Sequence, residues 1–138
     1  PESKAKMEQL VADLRVAMRR RIEALDWMEP ATKTAALEKL AAFTVKIGYP
    51  STWRDYSALE VSDTDAFANM ERGQAFEWAR DLRRIGGTVD ESEWGMTPQT
   101  VNAYYSPAKN EIVFPAAILQ PPFFDPQADP AINYGGIG

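Results

Sequence analysis

At 138 residues, with 45% hydrophobic and 25% charged side chains, the chain has the profile of one ordinary globular domain with a modest core. Its net charge of −5 argues against nucleic acid as a partner, because phosphate binding needs clustered Lys and Arg. Histidine and cysteine are both absent, which excludes a His general base, a Ser-His-Asp triad, thiolate chemistry, disulfides and a His-ligated metal within this sequence.

No stretch approaches the roughly 20 apolar residues that span a bilayer. The leading P-E-S-K-A-K has no apolar core of a signal peptide. Met7, Leu10, Val11, Leu14, Met18, Ile22 and Leu25 then recur at spacings of three and four, one face of an amphipathic helix. The basic run Arg19-Arg20-Arg21 falls inside this pattern and reads as a solvated helix face. Pro30 cannot extend that helix but suits the first turn of the next. The second helix is expected over 31–44 with Leu37, Leu40 and Ala41 inward, completing an antiparallel helical hairpin.

V-K-I-G-Y-P breaks the helix at Gly48 and Pro50, and 51–61 reads as an irregular connection with a short strand at most. D-T-D at Asp63 and Asp65 lacks the glycine and distal glutamate of a calcium loop, so it reads as a helix N-cap. A third helix is expected from there to Ile85, with Phe67, Met70, Gln74, Trp78, Leu82 and Ile85 inward and Gly86-Gly87 as the C-terminal cap. The following T-V-D-E-S-E-W-G-M-T-P-Q is polar and loop-like.

After Pro98, T-V-N-A-Y-Y and E-I-V-F are two β-prone runs separated by the turn formers S-P-A-K-N, the pattern of a β-hairpin. Two strands are marginal by themselves, so the hairpin is expected to be poorly ordered without further neighbours. P-A-A-I-L-Q-P-P-F-F leaves room for one helical turn before Pro121-Pro122 forces extension.

Asn102 is the anomaly, since asparagine is depleted in strands. A carboxamide donates and accepts, so it matches one peptide unit, and an edge strand offers free N–H and C=O groups to an extended ligand. Two readings stand: a clamp for a ligand's main chain, or a side chain bonded to its own backbone near a turn. Ile118, Leu119, Phe123 and Phe124, fixed between Pro115, Pro121 and Pro122, suit either a rigid apolar pocket wall or plain core.

V-N-A-Y-Y-S-P-A-K-N-E-I-V-F-P-A-A-I-L-Q-P-P-F-F followed by N-Y-G-G-I-G resembles the neprilysin-type zinc metallopeptidases. The earlier L-D-W-M-E-P-A-T-K-T-A-A-L-E-K-L and K-I-G-Y-P resemble the segment upstream of that motif in the same family. The resemblance implies a mainly α chain with a small β-hairpin (α+β), part of a two-domain, mostly helical, zincin-like metallopeptidase. Residues 1–50 would be the helical hairpin ending the cap domain and its linker, 51–62 a connection, and 63–138 the N-terminal part of the catalytic domain. The implied activity is an extracytoplasmic zinc metalloendopeptidase that cuts small peptides on the amino side of hydrophobic residues. Carried over, Asn102 would bind the substrate backbone through its side chain and Ala103 through its main chain. Ile118 and Phe123 would line the pocket for the residue just after the cut.

In the family the glycine-rich stretch leads into a helix bearing H-E-x-x-H, whose histidines hold zinc and whose glutamate deprotonates the metal-bound water. Gly138 falls just where that helix begins. The expectation is therefore a piece of a longer enzyme, inactive alone, with its zinc ligands and catalytic groups in the remainder of the catalytic domain. The alternative is a non-catalytic, peptide-binding or protein-interaction module of the same family, with Phe123 and Phe124 as an exposed adhesive patch.

Overall fold

The computed structural model describes residues 2–138. In chain order it contains α1 (Glu2–Ala24), α2 (Pro30–Ala41), β1 (Thr44–Gly48), α3 (Ala66–Arg84), β2 (Tyr104–Ser106), β3 (Glu111–Pro115), a 3-10 turn (Ala116–Ile118) and α4 (Pro130–Gly136). Mainly α with a small sheet, as the sequence implies, these elements divide into two compact units. One combines residues 1–50 with 94–138, and the other is 51–93.

In the first unit, α1 buries Met7, Leu10 and Val11 against Ile47, Phe114, Leu119 and Phe124. The heptad-like spacing is thus a core face, but only over its first half: Met18 is half exposed. Hydrogen bonds to helix-end carbonyls join α1 and α2. Arg15 Nη2 donates to the C=O of Leu40 and Ala41, both at 3.1 Å, satisfying carbonyls that the end of α2 leaves open. Lys33 Nζ donates to Glu23 O at 3.0 Å and does the same for α1. Leu37 and Leu40 are half-buried, whereas Ala41, expected inward, faces solvent because the helix ends there.

The two-stranded hairpin of the sequence reading is corrected by a third strand. V-K-I-G, read as a helix breaker, is β1, which pairs parallel with β3 from Thr44↔Glu111 to Gly48↔Pro115. Strand β2 pairs antiparallel with β3 on the other side, from Tyr104↔Val113 to Ser106↔Glu111, giving the order β1-β3-β2. Val45, Ile47, Ile112 and Phe114 alternate onto the face that α1 covers. The hairpin therefore has the neighbours it was expected to lack. On the opposite face Val113 and Glu111 are fully buried, and Lys46 Nζ lies 2.7 Å from Glu111 Oε2. That oxygen meets no donor in hydrogen-bond geometry, so the ammonium's charge is what compensates the buried carboxylate. Asn110 ends the hairpin loop at φ 48, a left-handed conformation that asparagine tolerates.

In the second unit, Asp65 caps α3 by accepting from Ala68 N at 3.0 Å, as D-T-D suggested. Gly86 follows the helix at φ 77, the left-handed turn expected of G-G. The expected inward stripe is overturned. Phe67, Met70, Trp78, Leu82 and Ile85 are all exposed. The opposite face holds the preceding loop instead, largely through polar contacts: Asn69 clamps both the N–H and C=O of Ser62, Arg72 donates to Glu60 O, and Arg54 pairs with Glu77 at 2.8 Å. Tyr56 stacks on Phe76 there at 5.6 Å.

Candidate functional site

The residues predicted from sequence lie in the first unit, where Ala103, Ile118, Leu119 and Phe124 belong to or pack against one core cluster. Asn102 is not within a strand. Continuing the β2–β3 register places it opposite Pro115, which has no N–H, so the ladder stops at Tyr104. The backbone ahead of the strand bonds locally: Thr100 N–H donates to Thr97 O, and Asn102 N–H donates to Thr100 O, both at 3.0 Å. Asn102 is exposed at the mouth of an edge strand that has no neighbour on its outer side among the described residues.

Its carboxamide is half engaged. Oδ1 accepts from the next residue's N–H, Ala103, at 2.8 Å, while Nδ2 donates to no described residue. The bond to Ala103 N–H is the own-backbone contact of the second sequence reading. Ala103 is half-buried against the core cluster, with its N–H already bonded to Asn102. Ile118, on the 3-10 turn, packs against that same cluster. A single backbone bond ties the turn to the loop before β2, Ala117 N–H donating to Pro98 O at 2.9 Å.

The Pro121–Pro122 peptide is cis, and the N–H groups of Phe123 and Phe124 both return to Gln120 O, at 3.0 and 3.1 Å. This tight fold sends the two rings opposite ways. Phe124 is buried in the core, whereas Phe123 is 43% exposed. The adhesive patch of two phenylalanines is thereby corrected to one, because Phe124 fills the space beneath α1. Ala103 and Ile118 each pack against the core cluster, whereas Phe123 and Asn102 are exposed. A recess of about 240 Å³ in this unit is lined instead by Leu10, Asp13, Phe124, Pro126, Asn133 and Tyr134, and includes none of the four predicted residues.

Two features escape the sequence pattern. The Tyr104 hydroxyl accepts from Gly95 N–H at 2.7 Å, across a loop with no local signal for the contact. Asn133, buried on α4, accepts from Asp125 N–H at 3.0 Å and donates to Asp125 O at 2.8 Å. D-P at Asp129 and Pro130 is an N-cap followed by a first-turn proline, and it is the signal that could have located that short helix.

Family models described as Peptidase family M13 match residues 1–50 and 102–138. The chain belongs to peptidase family M13. It is 42% identical to endothelin-converting enzyme-like 1 of Mus musculus over 99% of this chain, and 38% identical to neprilysin of Homo sapiens over the same share. It covers 18% and 19% of those two relatives, so it spans about a fifth of their length. Among solved structures, the zinc metalloprotease ZMP1 of Mycobacterium tuberculosis in complex with inhibitor superposes with a TM-score of 0.92 at 58% identity, over 98% of this chain and 20% of that one. PepO of Lactobacillus rhamnosis superposes at 0.93 with 37% identity, over 100% of this chain and 22% of that one.

The M13 residues present here do not fit a zinc site. The sequence has no histidine or cysteine, and among the described residues no cluster of three or more His, Cys, Asp or Glu is placed to hold a metal. None of the described helices is long and apolar enough to cross a membrane.

Proposed function

We propose that this chain is the substrate-binding portion of an extracytoplasmic M13 zinc metalloendopeptidase that cuts small peptides before hydrophobic residues. Residues 1–50 end its cap domain and 63–138 begin its catalytic domain. The zinc ligands and the groups that perform hydrolysis belong to chain beyond these residues, and the segment alone is inactive. The contribution made here is positional: Asn102 bonds the substrate's main chain, the Ala103 main chain extends that register, and Ile118 with Phe123 receives the side chain after the cut. Holding the scissile carbonyl in place removes orientational freedom that would otherwise slow its attack.

The observation that carries this reading is the Asn102 carboxamide, exposed beside an open strand edge with Nδ2 donating to no described residue. Ala103, its half-buried neighbour in sequence, and the half-buried Ile118 and part-exposed Phe123 of the same unit are the apolar residues assigned to the pocket. Burial of Phe124 weakens the alternative of an adhesive interaction module.

The test is kinetic. In the complete enzyme, Asn102→Ala is expected to lower kcat/KM for a peptide substrate by about tenfold or more, the consequence of leaving a substrate amide unpaired. Unchanged kinetics would take Asn102 out of the site.

A further inference from the structure

We propose that Tyr104 is a positioning residue for Asn102, and that its hydroxyl acts through the loop of residues 95–102. The inference rests on the reading that Asn102 holds the substrate main chain, and extends it to what holds Asn102.

In this loop Gly95, Thr97, Gln99, Val101 and Asn102 are exposed, while Met96, Pro98 and Thr100 are half-buried. Its shape is set by a series of hydrogen bonds. The Thr97 and Thr100 hydroxyls meet at 3.1 Å, Thr100 N–H closes on Thr97 O, and Asn102 N–H closes on Thr100 O. These local bonds fix the curl of the loop but not its attachment to the sheet. Two hydrogen-bond clasps contribute to that attachment. Pro98 O is held by Ala117 N–H at the turn that bears Ile118. Gly95 N–H is held by Tyr104 Oη at 2.7 Å.

Tyr104 is the rigid partner in the second clasp. It sits in the β ladder opposite Val113, which is fully buried, and its ring is half-buried. The ring reaches back so that residues 95–104 form a closed loop, with Asn102 two residues from the strand end that closes it. Approach at Gly95 is tight. A Cβ there would lie 3.3 Å from Tyr104 Oη and 3.4 Å from Cζ, so glycine leaves room for the hydroxyl. Opening the clasp leaves one end of the loop free and widens the range of Asn102 positions. A displacement well under the length of a hydrogen bond is enough to lose a positioned contact.

A double-mutant cycle in the complete enzyme tests this, reading kcat/KM on a peptide with a hydrophobic residue after the cut. Tyr104→Phe keeps the ring and removes only the hydroxyl. It is expected to lower kcat/KM by roughly three- to tenfold, the kinetic equivalent of one hydrogen bond. In an Asn102→Ala background the same change is expected to cost no more than about twofold, because its target is gone. A Tyr104→Phe enzyme indistinguishable from wild type, or a loss of equal size with and without Asn102, overturns the inference while leaving the role of Asn102 intact. Normal kinetics for Asn102→Ala overturns both together. Should Tyr104→Phe fail to fold, Gly95→Ala replaces it in the cycle. The added methyl presses on the hydroxyl from the other side of the same bond, and the same suppression by Asn102→Ala is expected.

Discussion

Asn133 and Asn102 carry the same carboxamide and use it in opposite ways. Asn133 is 7% exposed and holds the backbone of one residue, taking both the N–H and the C=O of Asp125. Asn102 is exposed, takes one N–H from its own neighbour, and donates from Nδ2 to no described residue. The chemistry inferred for Asn102, a side-chain amide matched to a main-chain amide, is therefore already practised inside this protein. What differs is whose backbone is near. Asn133 projects from α4 toward the backbone of Asp125, whereas Asn102 stands just before β2, an edge strand with no outer neighbour among the described residues.

Removing each side chain should separate the two roles. Asn133→Ala strips both partners from Asp125 and is expected to destabilise the fold by about 1–3 kcal/mol, measured by chemical denaturation. Asn102→Ala is expected to change stability by less than about 0.5 kcal/mol in the same assay, since the residue is exposed and its one bond is local. A large loss at Asn102 would make it a structural residue like Asn133 and erase the contrast.

The smallest effect concerns the second attachment of α4. Tyr134 donates its hydroxyl to Asp13 Oδ2 at 2.7 Å, and this bond raises the phenol pKa above the usual tyrosine value of 10.0. A pKa raised in the folded state means stability that is present while the phenol is protonated and lost as pH climbs through the raised value. Tyr134→Phe is expected to leave stability near neutral pH almost unaltered, because the pair is exposed, and to flatten the decline at strongly alkaline pH. An identical alkaline decline in the variant would assign it to other groups.

Much of the helical scaffold can be read directly from residue spacing. The run from Met7 to Leu14 reports a real core face, and Pro30, Asp65 and Gly86 mark real helix boundaries, because each acts through its own backbone chemistry. The third strand cannot be read this way. V-K-I-G is short, and the strand that makes it one lies at Glu111–Pro115, so only the tertiary pairing distinguishes it from a break. The stripe on α3 shows a different limit. Periodicity identifies an apolar face but not what covers it, and here the ion pairs and amide contacts of the connecting loop occupy the other side. Around N-A-Y-Y, the end of the strand at Tyr104 depends on Pro115 across the ladder, which local spacing does not reveal. The split fate of Phe123 and Phe124 depends on a turn that spacing does not encode.

The central claim is that the Asn102 amide holds an incoming peptide's main chain. The most direct measurement is a structure of the complete enzyme with a non-hydrolysable peptide analogue bound. The account predicts an Asn102 carboxamide atom within about 3.2 Å of a main-chain N–H or C=O of the analogue, with its hydrophobic side chain against Ile118 and Phe123. An analogue seated elsewhere, with Asn102 still turned to solvent or bonded only to Ala103, would contradict it.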